Sequence, residues 1–181
     1  MCSSDLDGVI LATAPQHAAA LLQEVVPAAL VDCIGALRYQ PIVTCYLQYP
    51  AGQQLPAPML GLNGTVQWLF DRGQLGGESG LLAAVISTEG RHRELPNAEL
   101  AQQVHAEIAA VLGPALPQPA WSRVITEKRA TWSCEAGVRR PEMRTGVSGL
   151  MLAGDYVQCD YPGTLETAVR QGQAAARSFG T

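Results

Sequence analysis

Between Ser148 and Arg177 the chain reads SGLMLAGDYVQCDYPGTLETAVRQGQAAAR, an order of residue types that leaves little choice of local structure. Leu150–Ala153 is a short unbroken apolar run, the mark of a strand covered on both faces. Gly154–Asp155 interrupts it, Pro162–Gly163 closes a short loop, and helix formers run from about Thr164 to Ser178. A buried strand that turns into a helix belongs to an α/β arrangement. In open sheets of that kind ligands collect at the carboxyl ends of strands, and a helix start offers unpaired N–H donors and partial positive charge. Asp155 can accept hydrogen bonds from ligand hydroxyls, Gly163 lets a ligand approach the backbone, and Gly172 lets the helix pack tightly along its Leu165–Val169 face. A polyhydroxylated, partly anionic ligand suits such a site. The same residues also read as a tight strand–loop–helix turn with Asp155 as a local cap.

The rest of the chain alternates strand and helix signals. GVILATAP, from Gly8 to Pro15, reads as a buried strand leaving a sheet; Gln16–Val25 reads as a helix, and Pro27 opens a second short one through Leu37. PIVTCYLQY, from Pro41 to Tyr49, alternates Ile42, Thr44 and Tyr46 with Val43, Cys45 and Leu47, which predicts a strand with two different faces. VQWLF (Val66–Phe70) and LLAAVIS (Leu81–Ser87) predict an antiparallel hairpin, with DRGQLGGESG as its solvent-facing turn. Asn97 offers a helix cap, and Leu100, Val104, Ile108 and Val111 line one helical face up to Gly113–Pro114. Trp121–Thr131 reads as a strand of mixed polarity. The fold class is therefore α/β (α+β) with a mixed sheet.

Charge and composition exclude several functions. Twelve Lys+Arg against sixteen Asp+Glu leave a net charge of −4, with no electrostatic footprint for nucleic acid. The five cysteines include no C-x-x-C pair, so a zinc site is not expected and a reducing compartment is. Prolines 41, 50, 56 and 58 break the longest uncharged stretch, and no signal-peptide pattern opens the chain, so a cytoplasmic location is expected. Residues 2–6, CSSDL, match the peptide that a common sequencing adapter encodes, so residues 1–6 are expected to be a non-native leader on a truncated reading frame. No phosphate-binding G-x-x-x-x-G-K-[ST], zincin, nucleophile-elbow or G-x-G-x-x-G motif occurs. His17, His92 and His105 are expected on helix or loop surfaces, and Arg91–Glu94 as a solvated turn. Glu127, Lys128 and Arg129 are candidates for acid–base work, but surface-strand charge is the commoner explanation of such residues, and the catalytic residues stay unknown.

GVILATAP followed by LAGDYVQCDYPGTLETAVRQG resembles the C-terminal part of the FAD-dependent amine oxidase and phytoene desaturase superfamily. PIVTCYLQY, NGTVQWLFDRG, VISTEG and ITEKRATW are most similar to its bacterial squalene-associated group, the hydroxysqualene dehydroxylases. The resemblance implies FAD as cofactor, with Gly154 and Asp155 at its ribityl or pyrophosphate part and Pro162, Gly163, Thr164 and Leu165 against the flavin ring. It implies residues 7–15 and 148–181 as parts of an FAD-binding domain and 16–147 as a substrate domain. The reaction implied is reductive removal of a hydroxyl from hydroxysqualene in hopanoid or isoprenoid biosynthesis. Carotenoid desaturase, flavin amine oxidase and a non-catalytic nucleotide-binding module are the alternatives. An isoprenoid lipid substrate implies peripheral contact with the inner face of a membrane. The chain departs from the family in lacking the N-terminal βαβ unit that holds the dinucleotide, so the chain alone is expected to bind FAD weakly and to expose apolar surface.

Overall fold

The computed structural model describes residues 6–179, so the expected leader, Leu6 apart, lies outside the described residues. Eleven strands and helices follow one another in chain order: β1 (Val9–Leu11), α1 (Pro15–Leu22), α2 (Ala28–Gly35), β2 (Tyr39–Gln48), β3 (Met59–Gly61), β4 (Trp68–Asp71), β5 (Leu81–Ser87), α3 (Asn97–Leu112), β6 (Trp121–Trp132), β7 (Leu150–Leu152) and α4 (Leu165–Arg177). The class is α/β. The chain divides into two compact units, one made of Met1–Tyr39 and Thr131–Thr181, the other of Gln40–Ala130. Among the described residues no helix is long and apolar enough to cross a membrane.

The contiguous unit is built on a five-stranded sheet in the order β3-β4-β5-β2-β6. Alternation along β2 decides its register, because only one set of side chains can enter the core. That set is Val43, Cys45 and Leu47, which stand opposite Ile86, Ala84 and Leu82 of the antiparallel β5. The predicted hairpin of β4 and β5 forms with Trp68 opposite Val85. Leu100, Ala101, Val104 and Ile108 of α3 close the same core, together with Leu55, Val66 and Leu69. The helix starts differently from expectation. Asn97 is its first residue and Pro96 takes the cap position without a side-chain hydrogen bond, since a proline ring already fixes the backbone for helix entry.

Two further expectations about this unit are corrected. Asp71, assigned to a solvent-facing turn, is 0% exposed. Its carboxylate accepts from the backbone N–H groups of Leu55 and Gln74 and from the Gln74 side chain, so it ties the end of β4 to the Pro-rich segment before β3. Burial raises the Asp71 carboxyl, but these hydrogen bonds outweigh it and hold the group below its ordinary value. Of the three histidines expected at the surface, His17 is exposed on α1, but His92 and His105 are not free surface groups. His92 lies buried in the short 3-10 turn Arg91–Glu94, and His105 Nδ1 bonds the hydroxyl of the buried Tyr49 at 2.9 Å. Glu127, Lys128 and Arg129 are exposed on β6.

The discontinuous unit contains a parallel pair, β1 with β7, with Val9 opposite Leu150 and Leu11 opposite Leu152. Its core gathers Ala18 and Leu22 of α1, Ile34 of α2, Leu37, Trp132, Leu152, Tyr156 and Val157. Val9 and Ile10 of β1 are exposed.

Candidate functional site

The predicted site residues all fall in the discontinuous unit, in the segment from the end of β7 to the first turn of α4. β7 delivers the chain into Ala153, whose N–H donates to Leu11 O at 3.0 Å and so holds the two strand ends together. Gly154 follows at φ 154°, a value that L side chains rarely adopt. A Cβ there would also press on the Tyr156 ring, so this glycine is required by the turn itself.

Asp155 is half-buried at the carboxyl end of β7. Burial pushes its carboxyl up, opposed by hydrogen bonds from its own and the Tyr156 N–H and by the nearby Arg140 charge, and the net direction is upward. Two buried hydroxyls at the ends of the same strand pair, Thr13 Oγ1 after β1 and Tyr156 after β7, have no hydrogen-bond partner. Burial, with the charge of Asp155, moves the Tyr156 phenol up to about 12, so it stays protonated and a donor.

At the far end of the loop Thr164 caps α4. Its hydroxyl accepts from the N–H of Thr167 at 3.2 Å, while Thr167 Oγ1 donates to Pro162 O. The N–H groups of Leu165 and Glu166, in the first turn, have no partner inside a helix. Leu165 is 88% exposed and Val169 55% exposed, a pair of apolar side chains standing outward at this helix start. That corrects the expected packing face. α4 buries Thr167, Gln171 and Ala175 instead, and a Cβ added at Gly172 would meet nothing within 4 Å. Gly163 has a reason inside the protein too, because a Cβ would collide with the Trp132 indole.

The loop between these two ends is shaped by a residue that the sequence does not single out. Arg140 donates from Nε to Tyr156 O at 3.4 Å, from Nη1 to Cys159 O at 3.0 Å and Tyr161 O at 2.7 Å, and from Nη2 to Asp155 O at 2.8 Å and to Val157 O. Its guanidinium lies 5.0 Å from the centre of the Trp132 ring, whose Nε1 donates to Asp155 O at 3.3 Å. Gln171 of α4 adds a bond to Gln158 O at 3.1 Å. Within the same loop the Tyr161 N–H draws the Cys159 thiol below its ordinary value, with Gln171 and Arg140 acting in the same direction.

The residues present fit a flavin nucleotide. A half-buried carboxylate and unpartnered hydroxyls at two parallel strand ends suit a polyhydroxylated chain, and a helix start beside exposed aliphatic side chains suits a flat ring carrying an electron-rich edge.

The flavin containing amine oxidoreductase family model matches residues 3–178. The chain belongs to this family. Within it, the chain is 30% identical over 172 residues to the hydroxysqualene dehydroxylase of Rhodopseudomonas palustris, covering 94% of this chain and 38% of that protein. It is 31% identical over 141 residues to the hydroxysqualene dehydroxylase of Zymomonas mobilis, covering 77% of this chain and 32% of the relative. The chain thus spans about a third to two fifths of the length of these relatives. A solved structure of similar fold is cyclohexylamine oxidase from Brevibacterium oxydans, with TM-score 0.61 and 17% identity over 95% of this chain and 42% of that one.

Proposed function

We propose that this chain is part of an FAD-dependent oxidoreductase that reductively removes the hydroxyl of hydroxysqualene to give squalene, a step of hopanoid or isoprenoid synthesis. The observation that carries the reading is the half-buried Asp155 at the end of β7, joined by a loop that Arg140 holds at both ends to a helix start bearing the exposed Leu165. Support for the substrate comes from the hydroxysqualene dehydroxylases that match along most of the chain. Residues 7–15 and 148–181 would then complete an FAD-binding domain and residues 16–147 form the substrate domain. The remaining length of the relatives would supply the rest of the dinucleotide site, so residues 1–181 alone hold FAD weakly and are inactive.

In this reading Gly154 and Asp155 hold the ribityl or pyrophosphate part, Asp155 accepting from hydroxyls. Pro162, Gly163, Thr164 and Leu165 hold the ring. The α4 N-terminus favours negative charge on the portion of the ring it faces. Leu165 and Val169 keep water from it. The reduced flavin, when bound, supplies the hydride that replaces the departing hydroxyl, and water is the second product. The substrate is an isoprenoid lipid, and the protein meets it by peripheral contact with the inner face of the membrane.

The test uses the product of the complete gene, incubated anaerobically with a chemically reduced flavin and hydroxysqualene. Squalene formation, with one FAD bound per chain, is expected. A flavin-loaded protein that instead oxidises an amine or desaturates phytoene would replace the substrate assignment, and a purified protein free of flavin that fails to take up FAD would overturn the cofactor assignment.

A further inference from the structure

A guanidinium has five N–H donors in a fixed plane, and at Arg140 each of them meets a different carbonyl of the Asp155–Tyr161 loop. With every donor engaged, the head group has no hydrogen left for a ligand. Its effect is on the shape of the loop. The bonded carbonyls begin at Asp155, which carries the acid, and end at Tyr161, two residues before Gly163. One rigid group therefore fixes both ends of the segment that separates the acid from the start of α4. The loop has few alternatives of its own: it is neither helix nor strand, and Val157 and Gln158 donate to Gly154 O and Pro141 O outside the arginine set. Without these donors the carbonyls of Tyr156, Val157 and Cys159 would lose their partners in partly buried surroundings, at a cost that favours a different loop path.

We propose that Arg140 is the positioning residue of the flavin site, holding Asp155 and the Gly163–Leu165 helix start at the separation the cofactor requires. This rests on the flavin reading given above. It deepens that reading by moving the determinant of cofactor affinity to a side chain outside the Leu152–Gly172 motif. The role depends on fork geometry as well as charge. A lysine keeps the positive charge but offers three donors from a single atom, which cannot span carbonyls spread from Asp155 to Tyr161.

The experiment compares the complete gene product with its Arg140→Lys and Arg140→Met variants. FAD affinity is read from flavin fluorescence, the setting of the bound ring from its visible circular dichroism, and loop order from hydrogen exchange of residues 155–161. Expected is a loss of FAD affinity of about 10- to 100-fold in both variants, the range seen when a group that orients a ligand-holding residue is removed. The residual bound flavin should show an altered dichroism, which a mere fall in occupancy does not produce. Loop amides should exchange about tenfold faster or more, with β2 and β5 amides unchanged. Should Met at this position fail to fold, the lysine variant decides, with β2 and β5 exchange certifying its fold. An Arg140→Lys protein that binds FAD within about threefold of wild type with an unchanged spectrum overturns the proposal. Wild-type protein that takes up no FAD overturns the flavin reading and this inference together, and is recognised before any variant is made.

Discussion

The two compact units differ in what holds them. The contiguous unit is held by apolar side chains that meet across paired strands: Val43 against Ile86, Leu47 against Leu82, with Leu100, Val104 and Ile108 of α3 in the same cluster. The candidate site in the discontinuous unit is held by backbone carbonyls converging on Arg140, by a threonine cap and by indole contacts, while Leu165 and Val169 stand outside. A core of the first kind depends on apolar shape, and two buried polar groups of its unit, the Tyr49 hydroxyl and the Asp71 carboxylate, are each hydrogen-bonded. A site of the second kind leaves Leu165 and Val169 exposed and the Tyr156 hydroxyl without a partner, which costs stability and leaves room for a ligand.

The contrast can be broken most severely in the contiguous core. Leu47→Ala removes a fully buried side chain of β2 from the cluster shared with β5 and α3 and should cost about 2–5 kcal/mol in urea or guanidinium unfolding. Asp71→Ala comes next, at about 2–3 kcal/mol, because the N–H groups of Leu55 and Gln74 lose their acceptor in a buried place. Asp71 also gives this unit a pH signature. Its folded carboxyl lies below the unfolded value, so its stabilisation is complete above about pH 4 and is lost as pH falls through the folded titration; the Asp71→Asn variant should lose that part of the acid dependence.

Smaller effects sharpen the other side of the comparison. Gly163→Ala should cost about 1–3 kcal/mol by forcing a methyl onto the Trp132 indole, and pairing it with Trp132→Phe should recover part of the loss in a double-mutant cycle. Asp155→Asn runs the opposite way. The folded carboxyl is raised, so the ionised acid costs stability that returns only as pH falls through its folded value. The neutral variant should be more stable near pH 7 by less than about 1 kcal/mol, after solvent screening, and should hold FAD less tightly. Leu165→Ser, at a side chain 88% exposed, should leave unfolding within about 0.5 kcal/mol of wild type while lowering FAD affinity.

The legible parts of the fold were those written in residue type. Alternation along Pro41–Tyr49 announced β2, although it could not say which face would be buried; four aliphatic residues at helical spacing announced α3. β3 was missed because Met59–Gly61 follows Pro56 and Pro58 and is a strand only by its pairing with β4. Asp71 sits in DRG, which looks like turn chemistry, and only the fold shows two backbone donors aimed at its carboxylate. At the candidate site the Gly–Asp and Pro–Gly steps were visible. Arg140 was not, since its partners are carbonyl oxygens, which every residue carries and no sequence pattern marks. The amphipathic sense of α4 misled for a related reason: its buried face is Thr167, Gln171 and Ala175, bonded or small, and its apolar residues point away.

The parallel pairing of β1 with β7 also governs timing during synthesis. Residues 40–130 form an uninterrupted segment whose strands and helix can assemble as soon as they leave the ribosome. β1 emerges long before them and must wait, unpaired on this side, until β7 follows, so the loop from Asp155 to Gly163 comes into being only after the intervening unit has had time to fold. Until then the backbone edge of Val9–Leu11 that β7 closes has no partner, and a nascent chain stalled before Leu150 would display that edge to other chains.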